Sequence, residues 1–149
     1  MNDWLHLAPW IAGSYLLGSV PFGLLLAWLF GSGDIRKQGS GNIGATNVLR
    51  TTGKTAAVIA LLLDMAKGGV AAAAGVAWFG AIPGMVFWLA LAAFMGHLYP
   101  VYLKFSGGKG VATALGIFLV WTPFAGLLSI LSWLAAISPW KPAPMSGRS

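Results

Sequence analysis

The chain has 149 residues, of which 58% are hydrophobic and only 8% are charged, with a mean hydropathy of +0.79. A soluble domain needs roughly 25% charged residues to cover its surface, so this composition makes the bilayer the main solvent and excludes a disordered chain, a DNA-binding domain and an ordinary soluble enzyme. The lack of cysteine excludes disulfides and cysteine-ligated metal centres, and the net charge of +6 comes from basic residues grouped between apolar runs, which suits lipid headgroups or a small phosphorylated substrate rather than nucleic acid.

The first apolar run covers residues 4–30, and its 10–30 portion alone reaches about 30 Å as a helix, enough to cross a hydrocarbon core. The first basic residue is Arg36, so no basic segment precedes this run and it does not read as a cleaved signal peptide. Gly18, Pro21 and Gly23 predict a kink within it. A polar gap, residues 31–55, follows and carries Arg36, Lys37, Arg50 and Lys54. The second and third runs cover 56–79 and 81–103, parted by a tight turn at Gly80, Pro83 and Gly84. A second polar gap, 104–110, carries Lys104 and Lys109. The fourth run covers 111–137 and is interrupted at Thr122-Pro123; its first 11 residues are too short to cross alone. It is read as a hairpin of short helices, with one long kinked helix as the alternative. The spans and gaps form one membrane domain, 1–138, with a polar tail at 139–149. Because the basic residues fall in alternate connections, both gaps should face the cytoplasm and the N-terminus should lie outside.

The first gap contains Gly39, Gly41 and Gly44 in a G-x-G-x-x-G spacing, but no alternating strand–helix pattern surrounds it, so a dinucleotide fold is excluded. Such glycines can instead turn backbone N–H groups into one concavity and hold an anion. Ser40, Asn42, Thr46 and Asn47 add neutral donors, and Arg36, Lys37 and Arg50 add charge. The second gap, with Gly107, Gly108, Lys109 and Gly110 running into a helix, lacks the Ser or Thr of a Walker A loop yet follows a similar logic. Lys109 would supply the charge and Thr113 a hydroxyl one turn later. Asp64 and Lys67, three residues apart in the second run, can pair on one helix face; a charge in that position is expensive enough to point to function. His97 precedes Pro100, and a helix continued through that proline would bring Lys104 to the same side. Trp28, Trp78, Trp88, Tyr99 and Tyr102 read as interfacial anchors.

The order of these motifs is specific. Gly18 through Gly23, Asp34-Ile35-Arg36, the 39–50 loop, Asp64 with Lys67-Gly68, Gly96-His97 with Pro100, and 104–113 follow one another over roughly residues 13–134. This arrangement resembles the bacterial acyl-phosphate–glycerol-3-phosphate acyltransferases. The resemblance implies an all-α integral membrane enzyme of the bacterial inner membrane. The chain would supply four to five transmembrane helices, corresponding to the N-terminal part of a seven-helix fold. Such an enzyme moves a fatty acyl group from acyl phosphate to the 1-hydroxyl of glycerol 3-phosphate, giving lysophosphatidic acid for phospholipid synthesis. The family's first motif maps onto Ser40, Gly41, Asn42, Gly44, Thr46, Asn47 and Arg50. Its second maps onto Lys104, Gly107, Gly108, Lys109, Gly110 and Thr113.

Acyl phosphate carries a good leaving group, so catalysis needs chiefly the positioning of two anions and stabilisation of developing charge. Lys67 joins the residues expected to bind phosphate. Asp64 and His97 are the candidate bases; a substrate phosphate oxygen is the alternative proton acceptor. The expected partners are the two small-molecule substrates and membrane lipids, with no nucleic acid. No cofactor is expected, and no metal, because two His, three Asp and no Cys make no ligand cluster. The rival readings are a transporter of a phosphorylated solute and an acyltransferase chain too short to turn over.

Overall fold

The computed structural model describes residues 3–80 and 83–137, and every regular element among them is helical. In chain order these are α1 (Asp3–Ser19), α2 (Phe22–Leu29), α3 (Ala45–Thr51), α4 (Lys54–Phe79), α5 (Pro83–Leu98), α6 (Val111–Trp121) and α7 (Pro123–Ile137), with 3-10 turns at Ile35–Lys37 and Val101–Leu103. Three stretches are long and apolar enough to span a bilayer: His6–Leu29, Lys54–Phe79 and Gly84–Leu103. The tail boundary and Ala81-Ile82 of the expected turn lie outside the described residues.

The prolines act as the sequence suggests, but more sharply. The first run breaks into α1 and α2 at Val20-Pro21 rather than bending smoothly, because proline has no N–H to continue the helix. The broken helix leaves the Val20 carbonyl without a helical partner, and Lys67 Nζ donates to it at 3.0 Å. At the other end of the bundle, α5 stops at Leu98 instead of running to 103, since Pro100 cannot carry it further.

Helix order follows from close contacts. Trp10 packs on Trp78 at 4.6 Å and edge-on to Phe79 at 6.2 Å, so the start of α1 meets the end of α4. The chain then turns into α5, which runs in the same sense as α1. Gly18 lies against the Ala93 backbone, and Gly96 against Tyr15 and Ser19. Lipid tails are as apolar as leucine, so helices associate here by letting backbones approach at small residues. The same device joins α4 to α6: Gly68 abuts Thr113, and Gly116 abuts Met65.

That register resolves the short fourth run. α6 begins level with residues 64–68, about halfway along α4, so its 11 residues have only part of the bilayer to cross. The second polar gap therefore dips inward to reach this depth. α7 then folds back: Gly126 lies on Phe118 and Leu119 beside the turn, and Trp133 shares a cavity wall with Val111 and Ala112. The hairpin reading is the observed arrangement. The first polar gap is also ordered, because Ile35, Ile43 and Val48 are buried with Leu24, Ala27, Ala56 and Ala60.

Adding a methyl at Gly116 would overlap the Met65 backbone, whereas Gly13 has nothing within 4 Å of its would-be Cβ. Gly116→Ala should lower the thermal unfolding temperature in detergent by several degrees, and Gly13→Ala should leave it unchanged or raise it slightly. Equal effects of the two substitutions on unfolding, followed by intrinsic tryptophan fluorescence, would contradict the α4–α6 register.

Candidate active site

A cavity of about 220 Å³ opens where the two polar gaps meet the middle of α4. Ser40, Asn42, Gly44, Thr46, Asn47 and Arg50 line it from the first gap and α3; Asp64 and Leu61 line it from α4. His97 closes it from the end of α5, Lys109 and Gly110 from the second gap, and Val111, Ala112 and Trp133 from the hairpin. Ten of the predicted site residues thus converge on one space, lined by cationic, polar and apolar side chains together.

Asp64 anchors this space. Its Oδ1 is 2.8 Å from Lys67 Nζ, and both side chains are almost completely buried, 3% and 1% exposed. Taking two charges out of water is costly, so such a pair persists only with further polar partners. Lys67 has them: the Val20 carbonyl, and the Phe22 ring with its centroid 5.7 Å from Nζ. Lys67 does not line the cavity, which corrects its expected place among the phosphate contacts; its ammonium points behind Asp64 and ties α4 to the α1–α2 break. His97 approaches the same oxygen, its Nδ1 3.7 Å from Oδ1, beyond hydrogen-bond length.

The glycine loops differ from open anion nests. In the first gap, positive φ at Gly39 (56°) and Gly41 (72°) turns the chain, but the N–H groups are engaged within the loop. Ser40 N–H donates to Asn47 Oδ1 at 2.9 Å, Gly41 N–H to the Gln38 carbonyl at 3.0 Å, and Gly44 N–H to Asn42 Oδ1 at 2.9 Å. Asn47, 1% exposed, organises the segment: its Nδ2 also donates to the Ile35 and Gln38 carbonyls at 3.0 and 3.2 Å. In the second gap, Gly107 and Gly108 N–H groups donate to the Leu98 and His97 carbonyls at 3.1 Å each. The N–H groups of Ser40, Gly41, Gly44, Gly107 and Gly108 are therefore committed to the loops' own fold.

The remaining expectations divide similarly. Thr113 is fully buried beneath Gly68 and does not reach the cavity, because the close α4–α6 contact needs its side of the helix. Lys104 adopts a left-handed turn (φ 53°) outside the lining, and the break at Pro100 removes the helical path that would have set it over His97. Gly41, Gly107 and Gly108 shape the loops without lining the space. Arg36 is held by Asp34 through contacts of 2.8 and 2.7 Å, which lower the Asp34 carboxyl from its ordinary 3.8 to about 2, so this charge too is engaged elsewhere. Sequence reasoning missed Leu61 and Trp133. Leu61 lies one turn before Asp64 on the same face, a signal that was there to use; Trp133 reaches the cavity only through the α6–α7 hairpin.

Comparison with known proteins gives a consistent picture. A family model described as glycerol-3-phosphate acyltransferase matches residues 8–147. A glycerol-3-phosphate acyltransferase of Sinorhizobium medicae is 57% identical over 121 residues, covering 81% of this chain and 58% of its own. One from Methylobacillus flagellatus is 49% identical over 132 residues, covering 88% of this chain and 66% of its own. The crystal structure of PlsY (YgiH), an integral membrane glycerol 3-phosphate acyltransferase in its glycerol 3-phosphate form, superimposes with a TM-score of 0.84 at 43% identity, over 89% of this chain and 66% of that one. Its lysophosphatidic acid form gives a TM-score of 0.82 at 42% identity. The chain thus spans between 58% and 66% of the length of these relatives.

Removing one member of a buried ion pair costs about 3–5 kcal/mol, because the other charge is stranded. Lys67→Met should therefore unfold in detergent at markedly lower temperature, and Asp64→Asn/Lys67→Met should recover much of the loss. A double variant as unstable as the sum of the two single ones would contradict the pairing.

Proposed function

The chain belongs to the glycerol-3-phosphate acyltransferase family, and on that premise we propose that it transfers a fatty acyl group from acyl phosphate to the 1-hydroxyl of glycerol 3-phosphate. The products are lysophosphatidic acid and inorganic phosphate. The observation that carries this reading is that Arg50 and Lys109, from separate polar gaps, line one cavity with Asp64, His97 and the apolar Leu61, Val111 and Trp133. Such a space suits a phosphate-bearing headgroup whose acyl chain lies toward the hydrocarbon. The chain is a multi-pass membrane protein, so a lipid-soluble donor and a water-soluble acceptor must meet at this boundary.

In the proposed reaction, Arg50, Lys109 and the Ser40 and Thr46 hydroxyls hold the anionic oxygens and neutralise charge as it grows. The glycerol 1-hydroxyl oxygen attacks the acyl carbonyl carbon, the bond from that carbon to the phosphate oxygen breaks, and phosphate leaves with the electron pair. The hydroxyl proton passes to His97, whose imidazolium is stabilised by Asp64. Both polar gaps face the cytoplasm of a bacterial inner membrane, where the positive-inside rule puts their basic residues.

Purified protein given synthetic acyl phosphate and glycerol 3-phosphate in detergent should form lysophosphatidic acid, read by mass spectrometry. No product under those conditions, with uptake of a phosphorylated solute into liposomes, would favour a transporter. Lys109→Ala should remove a charge-assisted contact of roughly 1.5–3 kcal/mol, lowering kcat/KM by about tenfold to over a hundredfold. Lys109→Arg should recover little, since a guanidinium fork replaces a compact ammonium; wild-type kinetics for Lys109→Arg would count against a shaped phosphate contact. For topology, Ser40→Cys and Ser106→Cys should resist an impermeant thiol reagent applied outside intact cells. Labelling of either from outside would reverse the orientation.

A further inference from the structure

The end of α5 presents the carbonyls of His97 and Leu98 with no following helical turn to satisfy them, because Pro100 ends the helix. Gly107 and Gly108 supply the missing donors. The two glycines are needed for different reasons. A Cβ on Gly107 would overlap the His97 and Leu98 carbonyl oxygens and Pro100, a backbone obstruction. A Cβ on Gly108 would meet the His97 imidazole instead, overlapping Nε2 and standing 3.1 and 3.2 Å from Cε1 and Cδ2. Neither residue is among those with positive φ, so backbone conformation does not demand glycine at 108. The ring does.

His97 itself is 4% exposed, and its Nδ1 is sealed beside Asp64. His97 also lines the cavity, and Gly108 borders the ring's Nε2 edge. We infer that Gly108 is a positioning residue for His97: its bare Cα leaves room for the imidazole to lie with Nδ1 toward Asp64 and Nε2 toward the cavity. The charged groups around the ring are Asp64 and Lys67 on α4, Arg50 on α3 and Lys109 in the loop itself. In the acyl-transfer reading, this orientation makes Nε2 the ring nitrogen available to the substrate. The inference rests on that reading for its consequence, but the ring's position is testable without any turnover.

The chain has two histidines, so His6→Gln leaves His97 as the sole imidazole. In that background, with imidazole 15N labelling in detergent, Gly108→Ala should shift both His97 ring-nitrogen resonances, which report tautomer and surroundings. Gly84→Ala, where nothing lies within 4 Å of the added methyl, should shift neither. Thermal unfolding gives a second arm. Gly108→Ala should lower the unfolding temperature by several degrees in the parent, yet cost little in a His97→Ala chain, where the obstructing ring is gone. If Gly108→Ala does not fold, His97→Ala/Gly108→Ala folding as well as His97→Ala supports the inference. Unmoved His97 resonances, or an undiminished cost of Gly108→Ala in the His97→Ala chain, would overturn it. Loss of acyl transfer with shifted resonances would instead bear only on the chemistry.

Discussion

A carboxylate and an ammonium three residues apart on a membrane helix cannot be left to find water, and the bundle is arranged around that constraint. Lys67 meets its side of the cost by reaching both Asp64 and the Val20 carbonyl, so the ion pair also secures the break between α1 and α2. Asp64, held from behind, is left to face His97 and the cavity. A structural clamp and a candidate catalytic group are thereby one pair of residues, and the depth of the pair sets the depth of the site.

The same shortage of water governs the backbone. At Pro21 and Pro100 the carbonyls left by the break are answered locally: Val20 by Lys67 and the Phe22 N–H, His97 and Leu98 by the glycines of the second gap. The inward-dipping second gap lies against α5 with the amides of Phe105, Ser106, Gly107 and Gly108 paired. This has a consequence for recognition. With the glycine amides at 41, 44, 107 and 108 committed to the fold, the proposed anion binding would draw on the Arg50 and Lys109 side chains rather than on those amides.

Much of this was legible in the sequence because it follows from local rules. Three spans, the kink at Pro21, the Asp64–Lys67 pair and the convergence of the two basic gaps are set by hydropathy, proline chemistry and i,i+3 spacing. Gly68, Gly96 and Gly116 were harder to read, because their role is to admit a particular partner helix, which no local pattern names. Thr113 illustrates the difficulty: one turn into a helix after a glycine loop it resembles a phosphate ligand, yet α4 packs over it. Trp133 enters the cavity only once the hairpin is folded, and Gly108 shows its purpose only against the His97 ring. What tertiary contact decides, spacing alone does not show.

The proposed function makes one central claim, that Arg50 and Lys109 from the two polar gaps contribute to binding glycerol 3-phosphate in one site above Asp64 and His97. Calorimetric titration of glycerol 3-phosphate into the purified protein, into Arg50→Ala, into Lys109→Ala and into the double variant tests it directly. If both cations hold the same phosphate, each single substitution should weaken binding, and the double variant should depart clearly from the sum of the two losses in binding free energy. Strictly additive losses, or binding indifferent to either substitution, would mean that the two gaps do not share a site.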